Sequence, residues 1–168
     1  MRITVLALLT VAALAAQSNP IVSTSKMFYA QVKDNVLRTA EKVPEDLYSF
    51  RPTPEVRTLG QLIAHEADGQ YEMCGAAAGK PVQKDVEKNV NGKTALIAAL
   101  KESFAYCDAV YAKMTDADAA TLVDMFGQKV TKIGVMDFNI AHTDEHYGNL
   151  VTYMRLKGIV PPSSEPKK

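Results

Sequence analysis

An all-α four-helix bundle is the fold this sequence predicts, on three observations. Four segments carry apolar residues at three- and four-residue steps, no segment carries a sustained strand alternation, and stretches rich in Pro, Gly, Asn and Asp separate them. The chain has 168 residues, enough to bury a single-domain core. Lys plus Arg and Asp plus Glu number 19 each, with no long run of one sign, so nothing points to a nucleic-acid partner.

Residues 1–16 read as a signal peptide rather than as part of the fold. Arg2 precedes an apolar run from Ile3 to Leu14, and the small residues Ala15 and Ala16 follow. The run is shorter than the ~20 apolar residues of a membrane span and meets Gln17, Ser18, Asn19 and Pro20. A periplasmic or secreted protein is therefore expected, with no membrane contact after cleavage. The folded domain is expected over residues 23–164, with 165–168 as a short polar tail. An exported chain with two cysteines, Cys74 and Cys107, permits one disulfide, and two buried thiols are the alternative.

The first helix is expected from Ser23 to Val43, with Phe28, Val32 and Val36 on its inner face. Pro44 stops it, and Pro44, Pro52 and Pro54 discourage regular structure up to Arg57, with Tyr48 and Phe50 pinning that connection to the bundle. Thr58 and Gln61 have capping-box spacing and open the second helix, whose inner face holds Leu59, Leu62, Ile63, His65, Ala67 and Cys74 and which ends near Gly79. Gly69, one turn past His65, either leaves room for a neighbour or is a weak spot. Lys80 to Lys93 reads as a polar loop. The third helix follows, with Leu96, Leu100, Phe104, Cys107, Tyr111 and Met114 as its core stripe. Thr115 to Lys132 reads as an irregular connection, in which Leu122, Val123, Met125 and Phe126 are available to pack. The fourth helix begins around Gly134 and runs to Lys157, closed by Gly158, Pro161 and Pro162.

Loop length bears on topology. About 14 extended residues reach roughly 45 Å, while a 20-residue helix is about 30 Å long, so helices two and three can run parallel. In that case Cys74, 15 residues past Leu59, and Cys107, 13 past Thr94, differ in height by about 3 Å. Antiparallel neighbours would separate them by more than about 10 Å, beyond the ~7 Å a bridge tolerates. A Cys74–Cys107 bridge, if formed, therefore favours an up-down-down-up order.

The chemistry lies in the histidines. His142 and His146 are four residues apart, so both imidazoles leave one helix face one turn apart, and His65 sits on another amphipathic helix. Three neutral imidazoles suit Zn²⁺, Ni²⁺, Fe²⁺ or Cu²⁺ better than Mg²⁺ or Ca²⁺, and three protein ligands leave a position open for water or substrate. Glu66, Asp68, Glu72, Asp144 and Glu145 are candidates to receive the second ring N–H, with Glu145 also the candidate general base. Tyr147, Asn149 and Tyr153 are candidates for the cavity mouth, and Tyr71 for the mouth or the core. His142–His146 also matches the His-x-x-Glu-His pattern of inverted zinc proteases, but that class takes a third ligand from a downstream carboxylate and only Glu165 follows.

The phrases RTLGQLIAH, from Arg57 to His65, and AHTDEHYGNLVTYMRLKGIVPPSS, from Ala141 to Ser164, resemble the DinB-like family, and the similarity runs from about Ser23 to Ser164. The resemblance implies a four-helix bundle of up-down-down-up topology and a divalent metal held by three histidines, at the positions of His65, His142 and His146. Some relatives are metal-dependent transferases or isomerases that use thiols such as bacillithiol or mycothiol; others have no assigned reaction. Relatives often carry Arg immediately after the last ligand, where this chain has Tyr147. The expectation is an exported metal-binding protein, with Zn, Ni or Fe and a small molecule as partners, acting as a hydrolase or thiol transferase. The alternative is a non-catalytic binding module stapled by its metal. The oligomeric state is open, and a homodimer is compatible with the sequence.

Overall fold

The structure, a computed structural model, describes residues 19–166. The signal peptide expected over residues 1–16 lies outside the described residues. Four long helices form the bundle: α1 (Pro20–Lys42), α2 (Leu59–Ala77), α4 (Lys93–Lys113) and α6 (Lys132–Leu156). Two single-turn helices, α3 (Val86–Asn89) and α5 (Asp116–Ala119), and a hairpin of β1 (Leu122–Met125) and β2 (Gln128–Thr131) fill the connections.

Helix α1 begins three residues earlier than its apolar spacing suggests, because Pro20 takes the first helical position, where its fixed φ suits the helix and its missing N–H costs nothing. The Asp116 carboxylate, reaching over from α5, accepts from the N–H groups of Ile21 (3.1 Å) and Val22 (2.9 Å). The inner stripe of α1 is Val22, Tyr29, Val32, Val36 and Ala40. Phe28, expected on that face, is instead half exposed. Tyr29, 100° further round, takes the inner position and donates its hydroxyl to Phe104 O at 3.0 Å.

Helix α2 opens on the expected capping box. Gln61 N donates to Thr58 Oγ1 at 3.2 Å and Thr58 N donates to Gln61 Oε1 at 2.9 Å. In the connection before it, Tyr48 is buried and donates its hydroxyl to Ala40 O at 2.6 Å.

Cross-helix pairs give the topology. Cys74 and Cys107 are bridged with a Cα separation of 5.3 Å, at similar heights on parallel α2 and α4. His65 lies opposite His142 while Gln70, further down α2, bonds Asn139, nearer the start of α6, so these helices run antiparallel. Ser25 donates to Asp137 and Lys42 to Val160 O, so α1 and α6 run parallel. The order is up-down-down-up.

The two connections are more structured than their composition suggests. Lys80 to Lys93 contains α3, held by Asp68 of α2. Thr115 to Lys132 contains α5 and the hairpin, paired in register Leu122↔Thr131 to Met125↔Gln128. The turn residues Phe126 and Gly127 have φ of 50° and 77°, the two consecutive positive values of a tight hairpin turn, and Gly127 adopts its value without a Cβ penalty. Val123 and Met125 pack against the core, while Leu122 and Phe126 stay exposed, Phe126 meeting Phe138 edge-on at 6.1 Å.

Candidate metal centre

The antiparallel seam between α2 and α6 brings all three histidines together. His65 Nε2 and His142 Nε2 lie 3.2 Å apart, and one nitrogen from each of His65, His142 and His146 falls within a 4.8 Å cluster. The ring centroids are 4.5 to 5.1 Å apart; His146 meets His65 and His142 edge-on, at 86° and 81°, while His65 and His142 are tilted at 51°. Two zinc–nitrogen bonds of about 2.0–2.1 Å at a tetrahedral angle put their nitrogens about 3.4 Å apart, close to the separation seen. Among the described residues this is the cluster whose donor set could hold a metal ion.

Gly69 makes this convergence sterically possible. A Cβ at that position would stand 2.9 Å from His142 Cε1, closer than carbon atoms approach without displacement. The glycine is therefore the gap into which the His142 ring fits, rather than a weak spot in α2.

Behind two of the rings stands a carboxylate. Glu66, fully buried, places Oε1 3.5 Å from His142 Nδ1, and neither this nitrogen nor either Glu66 oxygen has a hydrogen-bond partner within normal reach. Glu87 places Oε2 3.6 Å from His65 Nδ1. The Asn149 amide lies 3.5 Å from His146 Nδ1, and turning that amide about its C–C bond offers its oxygen as an acceptor. A ring that gives Nε2 to a cation must carry its proton on Nδ1 and needs an acceptor there, so the orphaned His142 Nδ1 and Glu66 fit an Nε2-bound metal.

Electrostatics point the same way. Burial lowers the pKa of His142 to about 4, helped by the positive charge the other two rings would carry and by Arg57. Burial also lowers His65 and His146, with Arg57 again adding to the effect on both. All three rings are thus neutral near pH 7, the form that ligates metals. Burial raises Glu66 to about 8. His65 keeps 26% of its side-chain surface, so the cluster opens to solvent on the α2 side.

Glu87 had no signature in the sequence, since it comes from the polar loop with no periodicity. Asp68 places it. One turn past His65, the Asp68 carboxylate accepts from Val86 N (2.7 Å) and Glu87 N (2.9 Å), clamping the start of α3 against α2. The available hint was that His65 and Asp68 share a helix face three residues apart.

Other candidates sit elsewhere. Glu145 is exposed on α6 beside His146, whose pKa its charge raises, and it makes no hydrogen bond to any of the three rings. Glu72 and Asp144 are exposed, and Tyr71 is in the core. Tyr147 does not line the mouth: its buried hydroxyl donates to Ser163 Oγ at 2.8 Å and accepts from Ser163 N at 3.0 Å, tying down the tail. Tyr153 donates to Arg57 O at 2.9 Å. Glu165 pairs with Arg38 and Lys42, away from the histidines, so the inverted-protease ligand pattern is not assembled.

A model of the DinB superfamily matches residues 29–150. The chain belongs to the DinB superfamily. Its DinB relatives include the uncharacterised protein YjoA of Bacillus subtilis (strain 168), 24% identical over 145 residues, covering 84% of this chain and 92% of that protein. A DinB-like protein from Bacillus cereus ATCC 10987 superposes with a TM-score of 0.72 at 18% identity, covering 82% of this chain and 93% of its own. The crystal structure of YjoA gives a TM-score of 0.68 at 23% identity, over 89% of this chain and all of that one. These structures share the DinB fold with this chain.

Proposed function

We propose that His65, His142 and His146 hold one divalent transition-metal ion, Zn, Ni or Fe, with a coordination position open to a small molecule, and that the chain is an exported metal-dependent hydrolase or thiol transferase. The meeting of three neutral imidazoles in front of a buried, otherwise unpartnered carboxylate carries this reading. A bound cation supplies Lewis-acid chemistry at its open position. The protein supplies the rest. With a cation on Nε2, Glu66 would accept a hydrogen bond from the Nδ1–H of His142 and fix that ring, and Glu87 would do the same for His65. With those carboxylates facing ring nitrogens, Glu145 is the neighbouring acid left to accept a proton on the solvent side. The apolar run followed by small residues near the N-terminus supports export, and so does the Cys74–Cys107 bridge, which suits an oxidising compartment.

Elemental analysis of protein purified from its own compartment tests the metal, and an ester and thiol-acceptor panel tests the reaction. The expected result is one equivalent of a single transition metal per chain, absent from His65→Ala, with metal-dependent turnover that Glu145→Gln lowers without metal loss.

One observation favours a second reading: the cluster joins α2 to α6 just where the seam's polar groups are unpaired, so a cation there would staple the helices. Chelation would then lower the melting temperature while the whole panel gave no turnover.

A further inference from the structure

Among the described residues, Arg57 is the one cationic side chain whose charge bears on all three histidines. Its backbone is fixed. It precedes the Thr58 cap of α2, and its carbonyl accepts from the hydroxyl of Tyr153 on α6, whose ring meets Phe50 edge-on at 5.9 Å. Only part of its guanidinium is engaged. Nε donates to Glu87 Oε1 at 3.0 Å, and neither Nη makes a hydrogen bond among the described residues. A guanidinium has five N–H donors in a rigid fork matched to the two oxygens of a carboxylate, so four remain available. The side chain keeps 41% of its surface, and Glu87 Oε2 faces His65 Nδ1, which sets the fork one carboxylate away from a candidate ligand.

Charge adds to the geometry. Three neutral imidazoles leave the two charges of a bound divalent ion uncompensated by its ligands, and Arg57 already balances Glu87. The face of the site that holds Arg57 is therefore suited to an anion. We infer that Arg57 is an anion-binding residue of this site, taking a carboxylate of the substrate on its free Nη pair while another part of the same molecule meets the cation. The substrate class is a small carboxylic acid with a metal-seeking group. This inference rests on the metal reading above.

The test uses two hydroxamates, which present the same chelating group to the cation. One is succinic acid monohydroxamate; the other is its primary amide, of the same shape without the charge. Calorimetry on zinc-loaded protein, with zinc content measured on each sample, should show the acid binding about tenfold more tightly than the amide, as one charge-assisted contact provides. Arg57→Met should erase that preference and leave the affinity for the amide unchanged. Glu87→Gln, which removes the carboxylate competing for the same guanidinium, should widen the preference. Equal affinities in the natural protein, including no measurable binding of either probe, would overturn the role of Arg57, as would a preference that survives Arg57→Met. Protein that takes up none of zinc, nickel and iron overturns the metal reading and this inference together, whereas zinc-loaded protein indifferent to the carboxylate overturns this one alone.

Discussion

One helical turn separates two buried polar clusters on the seam between α2 and α6, and they are satisfied in different ways. In the lower one Gln70 Nε2 donates to Thr143 Oγ1 at 3.0 Å and Asn139 Nδ2 donates to Gln70 Oε1 at 2.8 Å, beside the Cys74–Cys107 bridge, and only Asn139 Oδ1 lacks a partner. In the upper one both Glu66 oxygens and His142 Nδ1 go without. A buried polar group left unpaired costs about 1–3 kcal/mol. Neutral groups complete each other on folding, while the ionisable groups a turn away are left without partners. The lower cluster and its bridge join the helices directly; the upper one groups three histidines that could hold a metal ion.

The largest effect that can break this contrast comes from the bridge. Closing a loop between residues 33 apart, it should contribute about 3–4 kcal/mol, so Cys74→Ser with Cys107→Ser should lower the urea midpoint strongly while changing metal affinity less than about threefold. Metal binding that collapsed with the bridge would show the two clusters to be one unit.

Glu66→Gln comes next. Losing the carboxylate behind His142 should weaken metal binding about 10- to 100-fold, with no loss of stability in metal-free protein. Its pH signature has a definite sign. Burial raises Glu66 from 4.5 to about 8, so its contribution to metal-free stability is fully present below pH 4.5 and is lost as pH rises through 8. Urea midpoints against pH should show that decline in the natural protein and not in Glu66→Gln.

Gly69→Ala should be milder. The added methyl would press on His142 Cε1 from 2.9 Å and turn the ring, weakening metal binding about tenfold, while the better helix propensity of alanine keeps the metal-free protein at least as stable. Undiminished affinity would mean that the ring has room to spare.

How much of this was legible in the sequence depends on whether the signal is local. The Thr58 capping box, the His142–His146 spacing and the apolar stripe of α4 are set by neighbours within one or two turns, and they stand in the structure as read. On the inner face of α1, Val32 and Val36 stand as read and Phe28 alone gives way to its neighbour, because Phe28 and Tyr29 are both large and aromatic and the carbonyl of Phe104 on another helix distinguishes them. The hairpin escaped notice because each strand is four residues long and its turn shows only one glycine, Gly127. Glu87 reaches His65, and Arg57 reaches Glu87, through contacts that no periodicity encodes. Gly69 was open to two readings, and the ring of His142, 73 residues away in the chain, decides between them.

X-ray absorption on the metal-loaded protein tests the central claim most directly. The account predicts three imidazole nitrogens at about 2.0–2.1 Å from a zinc ion, with the remaining coordination supplied by light atoms from solvent. A first shell of carboxylate oxygens without imidazole scattering, or an unchanged spectrum in His65→Ala, would contradict it.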